Sequence, residues 1–183
     1  LLVLSIISIM ITLSYTSDCP EPPPSSPGEN KIKAVTHSCY GSSELLAIEW
    51  IDKPIPKDNE VLVKIKRAGV NPLDYHIMRG TPYIMRLGGG IGKPEKTIMG
   101  ADYSGVVEAV GKDVTQFKPG DEVFGGSRGA YSQYISVRHD GGIAHKPSNI
   151  SFDQSASVAV AAITALQALR DHGELKPEDK VLI

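Results

Sequence analysis

Between residue 31 and about residue 147, apolar and polar positions alternate in short runs with a period of two. Ile32, Ala34 and Thr36 alternate with Lys33, Val35 and His37, and Val61, Val63 and Ile65 alternate with Leu62, Lys64 and Lys66. A third alternation covers residues 131–137. This spacing sends successive side chains to opposite faces and predicts half-buried strands. Residues 45–50 read as a strand returning after a turn at Gly41. Residues 104–110 read as another, with Gly105 and Gly111 at places for a bulge or close backbone approach. Lys118-Pro119-Gly120-Asp121 puts Pro and Gly at the centre of a type II turn. Residues 122–124 leave that turn as a strand, closed by Gly125-Gly126. Many short strands punctuated by Gly and Pro predict a small barrel or sandwich.

The period changes at Ser151. Ser151-Phe152-Asp153-Gln154 has capping-box spacing, a hydroxyl followed three residues later by Gln. Ala156, Ala159, Ala161, Ala162, Ala165 and Ala168 then predict a helix running toward Leu169, with Gly173 as its stop. Lys176-Pro177-Glu178-Asp179 turns the chain into Lys180-Val181-Leu182-Ile183, an apolar run that reads as a strand. A strand ending there leaves its backbone groups unpaired, and the chain does not open on Met. It is expected to be a fragment.

At the front, residues 1–13 are almost continuously apolar and no charge precedes Asp18. A helix through Ser17 would be about 25 Å long, which suits a signal-peptide core and is slightly short for a membrane span. The alternative is a buried strand or helix of the fold. Pro22-Pro23-Pro24 argues against it, because a Pro-rich stretch forms an extended, solvated tether. Residues 1–30 are therefore expected to be a signal or anchor segment and linker.

Composition narrows the classes. The 183 residues, 41% apolar and 22% charged, suit one soluble domain with part of a second. A net charge of −2, without like-charge blocks, removes the electrostatic argument for nucleic acid. Cys19 and Cys39 are too few for a disulfide scaffold or a zinc finger, and leave open whether they pair.

Four motifs in order carry a family resemblance. They are Asn71-Pro72-Leu73-Asp74 with Gly80; residues 100–107 (Gly-Ala-Asp-Tyr-Ser-Gly-Val-Val) with Val110-Gly111; residues 118–123 (Lys-Pro-Gly-Asp-Glu-Val); and residues 162–169 (Ala-Ile-Thr-Ala-Leu-Gln-Ala-Leu). Together they resemble the medium-chain dehydrogenase/reductase family, over roughly residues 31–183. The resemblance implies a mainly β fold with α: a GroES-like, partly open β-barrel over 31–150, then a helix and the first strand of a truncated Rossmann domain over 151–183. In that family the closing strand leads into a Gly-rich turn that binds the cofactor's pyrophosphate.

Residue types then separate the branches. A catalytic zinc takes Cys or His ligands. Zinc-bearing relatives have Cys at the place of Asn71 and Gly-His-Glu at that of Gly100-Ala101-Asp102, and the five histidines here are scattered. No metal is expected. The zinc-free branch resembles quinone oxidoreductases and enone reductases. It implies hydride transfer from NADPH, with NADH as the alternative, to a quinone, enone or reactive carbonyl. A small-molecule substrate and a homodimer of the full-length protein are expected partners, and the fragment alone is expected to be inactive.

Asn71 reads locally as an N-cap, with Pro72 at the first helical position and a stop near Gly80. By resemblance it also contacts the cofactor. Thr164 either bonds back to a carbonyl one turn earlier or, by resemblance, faces the nicotinamide. His76 stands where some relatives carry Tyr near the substrate, and is the expected proton donor, against a solvated helix-face reading. Tyr75 is its alternative. Asp102 is expected to support its strand. The glycine loop at residues 87–92 follows no clear strand and opens no helix, so it is expected as a loop at the substrate mouth rather than a phosphate cradle. The competing function is a non-catalytic, membrane-tethered GroES-like binding module. Location stays open between a cytoplasmic enzyme type and the export or membrane association that residues 1–17 suggest.

Overall fold

The period-two runs become two antiparallel ladders. Strand β1 (Lys31–His37) pairs with β2 (Leu46–Asp52), and five further strands form a second sheet in the order β6-β3-β4-β5-β7. These are β3 (Glu60–Gly69), β4 (Asp102–Val110), β5 (Glu122–Gly126), β6 (Tyr134–Arg138) and β7 (Ala144–His145). The computed structural model describes residues 25–95 and 97–182, together with Ser5, Ser8 and Cys19. Apart from Ser5 and Ser8, the hydrophobic segment at 1–17 lies outside the described residues, as does most of the Pro-rich linker. No helix among the described residues is long and apolar enough to cross a membrane.

The two ladders are joined by bridges rather than closed into a full barrel. Ala34 bridges Ser132 and Thr36 bridges Ile98. The alternation at 131–137 divides between the ladders, because its two halves find different partners. The Tyr131 carbonyl accepts from Val35 N–H and the Gln133 N–H donates to the Lys33 carbonyl, so residues 131–133 run along β1; the Gln133 carbonyl already accepts from Ile65 N–H of β3, and β6 begins at Tyr134. The barrel is open. Its core is the apolar face of the five-stranded sheet: Val61, Val63, Tyr103, Val107, Val123, Ile135 and Val137, closed by Val114 and Phe117 from the loop before β5. Cys19 is joined to Cys39 by a disulfide, and Cys39 is buried.

Helix α1 (Pro72–Arg79) follows β3 directly. It ends at Gly80, whose φ of 60° is the left-handed conformation that lets its N–H reach back to the last helical carbonyls. The glycine-rich segment is not simply a loop: after a 3-10 turn it forms a short helix, α2 (Arg86–Gly89).

The predicted long helix is interrupted. Helix α3 (Phe152–Ser155) opens with the Ser151–Gln154 capping box, and α4 (Ala159–Leu166) starts after a turn at 156–158. The Ser155 and Ser157 hydroxyls donate to the carbonyls of Phe152 and Gln154, competing with helical bonding. After α4 the chain widens into a π-helical turn, Gln167–His172. The expected closing strand has no ladder: among the described residues no strand lies beside residues 180–182 to pair with them.

Candidate active site

Asn71 sits where β3 ends and α1 begins. Its extended backbone (φ −125°, ψ 156°) is that of an N-cap, and its N–H donates to Asp74 Oδ2 at 2.8 Å. The second half of the cap is made by the Asn71 main chain, whose carbonyl accepts from Asp74 N–H at 3.0 Å. That leaves the side chain for another partner, and Nδ2 donates to Asp102 Oδ2 at 3.2 Å.

Asp102 is completely buried at the start of β4. Its two carboxylate oxygens accept the Val160 N–H at 3.0 and 3.1 Å. Val160 is the second residue of α4, whose own N-cap position, Val158, has no polar side chain. Asp102 therefore caps α4 from another element, with its charge at the positive end of the helix. Burial raises its pKa, opposed by the bonds from Val160 and Asn71 and assisted by the nearby Asp74 charge. Its expected local support of the strand is thus mainly a tertiary contact.

A second buried acid lies beside it. Asp74 Oδ2 also accepts from the Tyr131 hydroxyl at 2.9 Å, and that hydroxyl lies 3.2 Å from the Gly69 carbonyl. Burial first, then the bond to Asp74, pushes the Tyr131 phenol well above its usual range. Ser104, buried on β4, donates to the Phe152 carbonyl at 2.7 Å and fixes α3 against the sheet. Gly69 packs directly under the α3–α4 turn: a Cβ there would lie 2.4 Å from the Ala156 carbonyl oxygen.

Thr164 lies on α4 four residues, about 6 Å along the axis, beyond Val160. It is exposed. Asn71, Asp102 and the start of α4 are thus held together by side-chain bonds, with Thr164 just over a turn further on. His76 is on the last turn of α1, and its Nδ1 lies 2.7 Å from the Thr81 carbonyl. With Tyr40, Ile77, Gly80, Met85, Gly89, Pro94 and Arg128 it lines a cavity of about 10 Å³. Tyr75 is half exposed, with the Arg79 guanidinium 5.1 Å over its ring. A larger open groove, about 590 Å³, runs between β1 and the end of β3, and neither Asn71, His76 nor Thr164 lines it. Among the described residues no cluster of three or more His, Cys, Asp or Glu side chains could hold a metal ion.

Sequence reasoning missed the capping role of Asp102, the Tyr131–Asp74 bond and the neighbourhood of Arg128. One signal was present: an α4 start without a polar N-cap needs an acceptor from elsewhere.

An open β-barrel joined to a following helix through a buried carboxylate defines the GroES-like domain of a dehydrogenase/reductase. Residues 57–148 match the family model for the alcohol dehydrogenase GroES-like domain. Over 159 residues the chain is 34% identical to a quinone oxidoreductase of Sus scrofa, covering 85% of this chain and 46% of that protein. The solved quinone oxidoreductase of Coxiella burnetii superposes with a TM-score of 0.72 at 30% identity, over 81% of this chain and 47% of that one. The Escherichia coli quinone oxidoreductase, solved in complex with NADPH, gives 0.69 at 28% identity, over 80% and 43%. The chain belongs to the medium-chain dehydrogenase/reductase family, in its quinone oxidoreductase-like branch. It spans about half the length of the relatives it matches.

Proposed function

We propose that this chain supplies the substrate-side half of a zinc-independent oxidoreductase that uses NADPH to reduce a quinone, enone or reactive carbonyl. The observation that carries the reading is the bonded chain Asn71–Asp102–Val160, which ties the α1 cap to the helix bearing Thr164. The Asn71 amide and the Thr164 hydroxyl have the donor and acceptor types that a nicotinamide carboxamide requires. They fit that end of the cofactor. The phosphate end has no counterpart in the glycine-rich segment, where the Gly89 and Gly90 carbonyls point at the Tyr40 hydroxyl at 2.9 and 2.8 Å.

Bound NADPH would supply the hydride. The residues here orient and protonate. Asp102 fixes Asn71 and the start of α4, and His76, held at Nδ1 by the Thr81 carbonyl, keeps Nε2 for proton transfer. Residues 1–30 as a leader and tether, 31–150 as the barrel domain and 151–183 as the entry to a cofactor domain complete the proposed organisation.

The test is NADPH oxidation by the full-length protein with a quinone or enone acceptor. Activity unaffected by chelators is expected. Chelator-sensitive alcohol oxidation, or no dinucleotide affinity, would overturn the reading.

A further inference from the structure

The small cavity beside α1 contains three polar groups, and their commitments differ. The Tyr40 hydroxyl donates to the Gly89 and Gly90 carbonyls, and His76 Nδ1 faces the Thr81 carbonyl. A carbonyl only accepts, so Nδ1 carries the hydrogen and Nε2 is the ring's uncommitted nitrogen. Arg86, which does not line the cavity, is committed through Nε to the Gly80 carbonyl and by stacking on Tyr40 and Tyr83. Arg128 is different. Among the described residues no carboxylate pairs with it, and its guanidinium nitrogens lie 3.6 and 3.8 Å from where a Cβ on Gly89 would stand.

The charges felt at Tyr40 come from Arg86, Arg128 and Glu95, with Glu95 the weakest of the three. Among the residues lining the cavity, Arg128 carries a fixed positive charge and none is a carboxylate. At about 10 Å³ it has room for one oxygen-sized atom, not a ring. Ile77, Met85 and Pro94 supply its apolar walls.

Building on the oxidoreductase reading above, we infer that Arg128 and His76 form an oxyanion pocket for the acceptor's carbonyl oxygen. Hydride addition at the far carbon of an enone forms a C–H bond and moves the π pair onto that oxygen. The nicotinamide is oxidised and the acceptor reduced by two electrons. The Arg128 guanidinium holds the resulting negative charge; a proton from water, relayed through His76, converts that oxyanion to the enol, which tautomerises to the saturated ketone, leaving hydroxide to the solvent. A donor aimed where charge develops acts in the transition state, so Arg128 acts on kcat more than on cofactor binding.

The experiment compares Arg128→Gln and Arg128→Lys with the unaltered full-length protein, using enones of graded electron demand and a separate NADPH titration by fluorescence. Arg128→Gln is expected to lower kcat/KM about 10- to 100-fold. NADPH affinity should be unchanged, rates should become more sensitive to electron-withdrawing substituents, and Arg128→Lys should recover part of the loss. An active parent with an unchanged Arg128→Gln variant overturns the pocket alone. Equal losses in NADPH affinity overturn it too, because they place Arg128 at the cofactor. A parent that oxidises no NADPH overturns the underlying reading and this one with it.

Discussion

Asn71 Nδ2 and Asp102 Oδ2 are 3.2 Å apart, so the residue capping one helix touches the carboxylate capping another. The two helices belong to different parts of the chain, α1 following β3 and α4 following the whole barrel. A buried carboxylate without a cation is costly unless hydrogen-bonded, and here the bonds come from Val160 and Asn71. The contact ties Asn71 to the start of α4.

Removing that carboxylate leaves two donors without their acceptor. Asp102→Ala is expected to destabilise the protein by about 2–4 kcal/mol. Asp102→Asn retains one acceptor oxygen and should cost less, about 1–2 kcal/mol. Urea unfolding measures both, and equal midpoints for Asp102→Ala and wild type would contradict the capping role.

The same group gives stability a pH dependence. Its pKa is raised on folding, chiefly by burial, so the folded chain holds the proton at pH values where the unfolded chain has lost it. The contribution is fully present below the ordinary carboxylate value and is lost as pH rises through the raised one. The wild-type urea midpoint, relative to Asp102→Asn, should fall with rising pH across that window. A difference that is flat or rises would show that the carboxylate is not destabilised by burial.

Local chemistry made much of this architecture legible. The alternation at 61–66, the Pro-Gly turn at 119–120 and the cap at Asn71-Pro72 with Gly80 all act over a few residues, and the structure places strand, turn and helix there. What was illegible depends on distant partners. Gly69, Ser104 and Asp102 meet the chain at the 156–158 break or on either side of it, and residues 131–133 bond to β1, about 100 residues away in sequence. For the site, Asn71 could be placed from its motif. That its amide meets Asp102, or that Tyr131 meets Asp74, has no signature in sequence spacing.

Two glycines separate close approach from open space. A Cβ on Gly69 would stand 2.4 Å from the Ala156 carbonyl oxygen, which is backbone and cannot swing away. Gly69→Ala is expected to destabilise by about 1–3 kcal/mol. Gly88, within α2, has nothing within 4 Å of its added Cβ, so Gly88→Ala should be neutral or stabilise by up to about 1 kcal/mol. Thermal unfolding of the pair reads the contrast, and two equal shifts would refute the packing of β3 under the α3–α4 turn.

Tyr131 and Tyr103 can be read directly by phenol titration. Burial raises both above the ordinary phenol value, and Tyr131 is raised further by its bond to Asp74. The Tyr103 hydroxyl is also tied to the Gly142 carbonyl at 3.1 Å. Both should ionise late in an ultraviolet pH titration, and only once the fold itself yields. Because folding raises these values, their contribution to stability is present below the ordinary phenol range and is lost as pH climbs toward the raised ones. Tyr131→Phe should remove one late-titrating phenol and, by stripping Asp74 and Gly69 of a donor, cost about 1–2 kcal/mol in urea. If the late phase were undiminished in Tyr131→Phe, the hydroxyl would not be buried against Asp74.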